Sequence, residues 1–127
     1  MSKQNLYLGK SGEEAAVEFL KNSGYHILEK NYKTRLGEID IIARDQDTLC
    51  FIEVKTRSSD RFGLPQEALS AFKQRQLTKA TLSFLKEKKL LNQKARFDVV
   101  AIMASPDGSL QMRLIKDAFE ARGGFSY

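Results

Sequence analysis

Cysteine and histidine each occur once in these 127 residues, tryptophan is absent and proline occurs twice. A single cysteine excludes an internal disulfide framework and any multi-cysteine zinc site. Cys50 lies in the run Leu49-Cys50-Phe51-Ile52, which marks it as a buried small hydrophobe. An unpaired thiol suits a reducing cytoplasm. His26 has no second histidine or nucleophile near it in the chain, so it reads as a strand-edge side chain rather than a catalyst. No apolar run approaches the roughly 20 residues of a membrane span. Met1-Ser2-Lys3-Gln4-Asn5 carries no signal-peptide core. A cytoplasmic location without a membrane partner is therefore expected. No Gly-rich phosphate cradle or nucleotide fingerprint occurs. With no repeat and no Pro/Gly linker, residues 1–127 read as one domain.

Hydrophobic residues make up 42% and charged residues 29%, which is a globular composition. Lys and Arg outnumber Asp and Glu by 21 to 16, a net charge of +5. That excess is compatible with a polyanionic partner without demanding one. Ala15, Ala16, Phe19 and Leu20 form a helical stripe within Gly12 to Asn22, with Ser11 as expected N-cap and Gly24 as stop. Tyr25 to Tyr32 reads as a strand with Tyr25, Ile27 and Leu28 inward. Leu36 to Arg44 and Thr48 to Arg57 read as two further strands joined by the polar turn Asp45-Gln46-Asp47. Gln66 to Lys89 is helical, its stripe running through Leu69, Phe72, Leu77, Ala80 and Phe84. Arg96 to Met103 is a strand buried on both faces. Ser105-Pro106-Asp107-Gly108 is a turn, Leu110 to Ile115 an edge strand, and Asp117 to Ala121 an expected helical turn. The order α-β-β-β-α-β-β implies an α/β domain with a central mixed sheet flanked by helices, and a right-handed crossover through the second helix.

The chemistry concentrates in Gly37-Glu38-Ile39-Asp40-Ile41-Ile42 and Phe51-Ile52-Glu53-Val54-Lys55-Thr56-Arg57. Alternation puts Glu38 and Asp40 on one face of their strand, and Glu53 and Lys55 on one face of the next. A turn centred between Gln46 and Asp47 pairs residues whose numbers sum to 93, which sets Asp40 across from Glu53. Carboxylates that close repel unless a cation lies between them, and a hard divalent ion such as Mg²⁺, or Mn²⁺ in its place, meets that demand. Lys55 could orient a water or stabilise charge on a phosphate, and Glu13 could add a carboxylate from the first helix. The plainer reading is ion pairing on a solvated hairpin face, at ~0.2–1 kcal/mol per pair. The apolar flanks Ile39, Ile41, Ile42, Phe51, Ile52 and Val54 weigh against it, since they imply central strands where uncompensated acids are costly.

These residues resemble the PD-(D/E)xK nuclease superfamily and, within it, the YraN-type family. The shared pattern runs through Gly9-x-x-Gly12-Glu13-x-x-Ala16, Gly37-Glu38-Ile39-Asp40, Phe51 to Arg57, Phe62-Gly63-x-Pro65, Arg96-Phe97-Asp98-Val99-Val100 and Ala118-Phe119, nearly the whole chain. The resemblance implies a restriction-endonuclease-like fold, similar to archaeal Holliday-junction resolvases. It implies that Asp40, Glu53 and the Val54 carbonyl hold the metal, that Lys55 is catalytic and that Glu13 is an accessory acid. Lys73 or Gln76 matches a polar position on the second helix. Ile39 stands where the superfamily's name has proline.

Two functions follow. One is a Mg²⁺-dependent endonuclease acting on DNA, of a branched or repair-related kind. The other is a nucleic-acid-binding or scaffold protein that keeps the fold without turnover. Arg57, Arg61, Lys73, Arg75 and Lys79 are candidates to track a phosphate backbone, against the alternative of a solvated helix face. Few aromatics accompany these cations in the sequence, which argues against a single-strand stacking platform. A two-fold homodimer would suit cleavage of both strands. Glu38 either assists the metal or pairs with a cation, and Asp98 reads as a buried partner for an arginine.

Overall fold

The computed structural model describes residues 10–58 and 69–121. Arg61, Phe62, Gly63, Pro65, Gln66 and Gly123-Gly124 lie outside the described residues. The elements are α1 (Lys10–Asn22), β1 (His26–Thr34), β2 (Gly37–Asp45), β3 (Thr48–Ser58), α2 (Ala71–Glu87), β4 (Lys94–Ala104) and β5 (Leu110–Phe119). The strands form one mixed sheet in the order β1-β2-β3-β4-β5. β3 and β4 run parallel and the other neighbours antiparallel. This is the expected mixed α/β arrangement, in the expected element order.

Alternation along the central strands divides the core in two. Phe51, Val99 and Ile42 pack with Leu77, Ala80, Phe84 and Leu85 of α2. Ile41, Ile52 and Val100 pack with Ala16, Val17 and Leu20 of α1. The two helices therefore cover opposite faces, which explains the continuous apolar runs in β3 and β4. At the end of α1, Tyr25 N–H donates to the Leu20 carbonyl at 2.9 Å and Gly24 N–H to Lys21 at 3.0 Å. Gly24 has φ 96°, the left-handed conformation that this helix ending requires.

The structure corrects several local expectations. Ser11 is not the cap of α1, because the helix already includes Lys10. Leu28 is exposed, since the β1–β2 register shifts between Ile27 and Glu29. α2 begins at Ala71, capped by Ser70, whose hydroxyl accepts the Lys73 N–H at 3.1 Å. It ends at Glu87, with Lys89 at φ 59°. Phe72 is 62% exposed, not part of the buried stripe. At 100° per residue, five positions before Leu77 puts it about 140° from the core face. β5 continues to Phe119 in place of a helical turn, with the Phe119 ring stacked on Phe97 at 4.6 Å.

Asp98 is 1% exposed and fully engaged. It accepts from Tyr25 Oη at 2.8 Å, Arg96 Nε at 2.9 Å and the Asp117 N–H at 2.9 Å. Arg96 reaches on to Asp45 at 2.7 Å. The expected arginine partner is thus its neighbour two residues before it, on the same strand. Asp98→Ala should leave Tyr25, Arg96 and the Asp117 N–H without their acceptor and cost about 3 kcal/mol in urea unfolding. The exposed Asp47→Ala should leave the unfolding midpoint unchanged.

Candidate functional site

The β2–β3 ladder follows the sum of 93 from Asp45↔Thr48 to Ile41↔Ile52. Its next pair would be Asp40 and Glu53. There β2 departs from strict alternation: Ile39 belongs to the α2-side core and Ile41 to the α1-side core. Ile39 and Ile41 therefore do not share a face, which corrects the simple parity reading of β2. Across from Asp40, between the pairs Lys30↔Ile41 and Tyr32↔Ile39, lies Asn31 with φ 54°. Asparagine tolerates that left-handed conformation better than most residues. The distortion frees the Asp40 carboxylate to accept the Val54 N–H at 2.9 Å.

β3 shows no such break, its parallel pairing with β4 running unbroken from Thr48↔Lys94 to Ser58↔Ala104. Glu53 and Lys55 therefore share the α2-side face with Phe51. Glu53 is 6% exposed, and its Oε1 has no hydrogen-bond partner among the described residues. Its Oε2 lies 3.9 Å from Lys73 Nζ. Burial, then the Asp40 charge, push the Glu53 carboxyl up to about 7, against the pull of Lys73 and Lys55. Asp40 is also raised, first by burial, while the Val54 N–H opposes the shift.

On the α1 side, Glu13, Glu14, Val17, Lys30, Asn31, Asp40 and Ile41 line a cleft of about 160 Å³. Glu13 is raised by burial and by Asp40, and Asn31 hydrogen-bonds it in opposition. The structure thus gathers Glu13, Asp40, Glu53, Lys55 and Lys73 at the open end of the β2–β3 pair. Gln76 is half-buried one turn further along α2, where its backbone meets Gly37: a Cβ there would come within 3.2 Å of the Gln76 carbonyl. Arg57 is half-buried and donates to the Thr56 carbonyl at 3.3 Å. Arg75 and Lys79 stand exposed on the outer face of α2. Among the described residues no group of three or more His, Cys, Asp and Glu forms a metal set. Asn31 is the residue that sequence reasoning missed. A β-strand pattern carries no sign of a single left-handed residue, beyond asparagine's tolerance for it.

The family profile described as "Uncharacterised protein family UPF0102" matches residues 12–102. The chain belongs to that family. UPF0102 proteins similar to it include one from Syntrophus aciditrophicus, 53% identical over 95% of this chain and 94% of that protein. One from Geotalea daltonii is 51% identical over 91% of each chain. One from Caldicellulosiruptor saccharolyticus is 50% identical over 88% of this chain and 96% of that protein. The span matched to UPF0102 contains every residue gathered at this site, from Glu13 to Lys73. No helix among the described residues is long and apolar enough to cross a membrane.

Glu53 gives a pH test of the site. Its carboxyl titrates near 7 in the folded protein against an ordinary value of 4.5, so the folded state holds the proton longer than the unfolded chain. The associated stability is fully present below about pH 4.5 and is lost as pH rises through about 7. In EDTA, the wild type should lose up to ~3 kcal/mol more than Glu53→Gln between pH 5 and 8, read from urea midpoints. Parallel pH curves for the two proteins would contradict the assignment.

Proposed function

We propose that this protein is a metal-dependent endonuclease that hydrolyses phosphodiester bonds of DNA, with Mg²⁺ as cofactor and Mn²⁺ as a substitute. The observation that carries the reading is the buried Glu53 Oε1, unpartnered among the described residues, beside a second carboxylate on Asp40. A divalent cation with oxygen ligands would satisfy that atom and offset both the burial of the two acids and the charge that Asp40 places on Glu53. The residues present therefore fit the ion that the resemblance to PD-(D/E)xK nucleases implies. Asp40, Glu53 and the Val54 carbonyl would hold it, and water would fill the remaining positions, as Mg²⁺ prefers. When bound, such an ion supplies Lewis acidity toward a phosphoryl oxygen and a more acidic water.

The protein's own groups do the rest. The Val54 N–H fixes the orientation of the Asp40 carboxylate. Lys55, on the same face as Glu53, orients the attacking water and stabilises negative charge on the phosphate. Hydrolysis forms one P–O bond from water and breaks one to the leaving oxygen, which takes a proton. Glu13 contributes charge from the α1 side. Lys73, expected to contact the phosphate backbone, pairs instead with Glu53 and balances the acids from α2. Arg57 and Arg75 remain candidates for the backbone, with the net charge of +5 favouring a polyanion. On this reading the protein works in a reducing cytoplasm, where the buried thiol of Cys50 stays free. A two-fold dimer would suit cleavage of both strands.

The Lys73–Glu53 pair favours a second reading, a nucleic-acid-binding protein without turnover, because an internal ammonium already offsets part of the acidic charge. Cleavage of duplex, flapped, junction and single-stranded DNA in Mg²⁺ and Mn²⁺ separates the two. The wild type should cut at least one substrate. Asp40→Asn and Glu53→Gln should lose cleavage and metal affinity together. Lys55→Ala should retain the metal, keep DNA binding within a few fold, and lose cleavage by at least ~10²-fold. No metal-dependent cleavage of any substrate would favour the binding protein. Full activity in Lys55→Ala would remove lysine from the mechanism.

Binding should also be salt-sensitive. Arg75→Ala should weaken it without regard to sequence and reduce the log–log salt slope by about one. An unchanged slope would take Arg75 out of the interface.

A further inference from the structure

Two large apolar side chains near the α2–β2 contact are exposed: Leu36 at 50% and Phe72 at 62%. Leu36 occupies the tip of the β1–β2 hairpin. The tip is held by Thr34, whose hydroxyl accepts the N–H groups of Leu36 and Gly37 at 3.0 and 3.1 Å and donates to the Gly37 carbonyl at 2.9 Å. Gly37 lies against the backbone of Gln76, one helical turn from Phe72. The hairpin tip therefore meets α2 at Gln76, backbone to backbone, with Phe72 one turn nearer the helix start. Phe72 directly precedes Lys73, whose ammonium reaches Glu53.

Exposed cations outnumber exposed acids beside this pair, with Glu38 the acid two residues from Leu36. Arg35 is exposed beside Leu36 on the hairpin tip. Arg75 and Lys79 are exposed at positions i+3 and i+7 from Phe72 along α2. Apolar side chains with cations beside them match a ligand with flat apolar faces on an anionic backbone. An unpaired nucleobase has that chemistry, whereas a base inside a duplex hides its faces in the stack.

We propose that Leu36 and Phe72 form an apolar clamp for unpaired bases, so that the neighbouring acidic site selects DNA carrying a single-stranded segment beside a duplex over continuous duplex. The proposal rests on the nucleic-acid reading of the site but not on turnover. Arg35, Arg75 and Lys79 hold the backbone while Leu36 and Phe72 contact base faces. Phe72 and Leu36 are specificity residues here, and the chemistry stays with Asp40, Glu53 and Lys55.

The test is fluorescence anisotropy in EDTA, with labelled splayed-arm and blunt-duplex DNA of equal length, using the full chain. Wild type should bind the splayed arm about 10-fold more tightly. Phe72→Ala and Leu36→Ser should each lose most of that preference through weaker splayed-arm binding, with duplex affinity within about twofold. Phe72→Trp should retain the preference, because a larger ring still stacks. Arg75→Ala should weaken both substrates alike. Equal affinity of the wild type for both substrates, failure to bind either, or equal losses on both in Phe72→Ala would each overturn the clamp. So would a concentration-dependent dimer that dissociates in Phe72→Ala, which would assign the patch to a second copy of the chain. Selective loss in Phe72→Ala without cleavage by the wild type would uphold the clamp and remove the nuclease. Cleavage without preference would do the reverse.

Discussion

The hydrogen bond from the Val54 N–H to the Asp40 carboxylate decides how the open end of the β2–β3 pair is built. An inner strand that leaves its ladder exposes backbone donors, and a buried unsatisfied N–H costs as much as a lost hydrogen bond. Asp40 supplies the acceptor from a side chain. The strands can then separate without leaving the Val54 N–H orphaned. The carboxylate that performs this structural task is also held beside Glu53. Both acids titrate above their ordinary range, first because they are buried; the Val54 N–H opposes the shift at Asp40, and the Asp40 charge adds to it at Glu53.

The two helices act on this opening from opposite sides. α1 brings Glu13 toward Asp40 and Asn31, with Gly12 close to Thr56 and Ile102. α2 brings Lys73 toward Glu53 from the other face. The distortion at Asp40 joins these environments, because its carboxylate lines the α1-side cleft and still lies close enough to Glu53 to act on it. At the hairpin end, the Tyr25–Asp98–Arg96–Asp45 network is saturated with partners. The contrast separates two kinds of buried acid. Asp98 has three donors within 2.9 Å, while Glu53 keeps an oxygen with none among the described residues. Only the second leaves a buried oxygen unsatisfied.

Membership of UPF0102 describes kinship and carries no activity with it. Donor chemistry and placement carry the proposed function instead. Mg²⁺ sites commonly take one or two carboxylates and leave several positions to water, so a pair of acids is an adequate protein contribution. Two lysines near that pair, Lys73 and Lys55, offset part of its charge.

The sequence alone determined the element order, the hairpin register that brings Asp40 toward Glu53, and the shared face of Glu53 and Lys55. Each follows from short-range periodicity: alternation of two in strands, a stripe near 3.6 in helices, and a two-residue turn that fixes pairing. Buried Cys50 and arginine-paired Asp98 were legible for the same reason, since their neighbours were apolar or cationic in the chain itself. The tertiary structure decided what depends on contacts distant in sequence. It set Asn31 left-handed opposite Asp40, split Ile39 from Ile41, sent Lys73 to Glu53 and left Phe72 in solvent. Periodicity states which residues share a face, but not where a strand must twist to satisfy a neighbour. Nor does it state which side of a helix its packing will select, because both are settled by the balance of buried area and hydrogen bonds across the whole sheet.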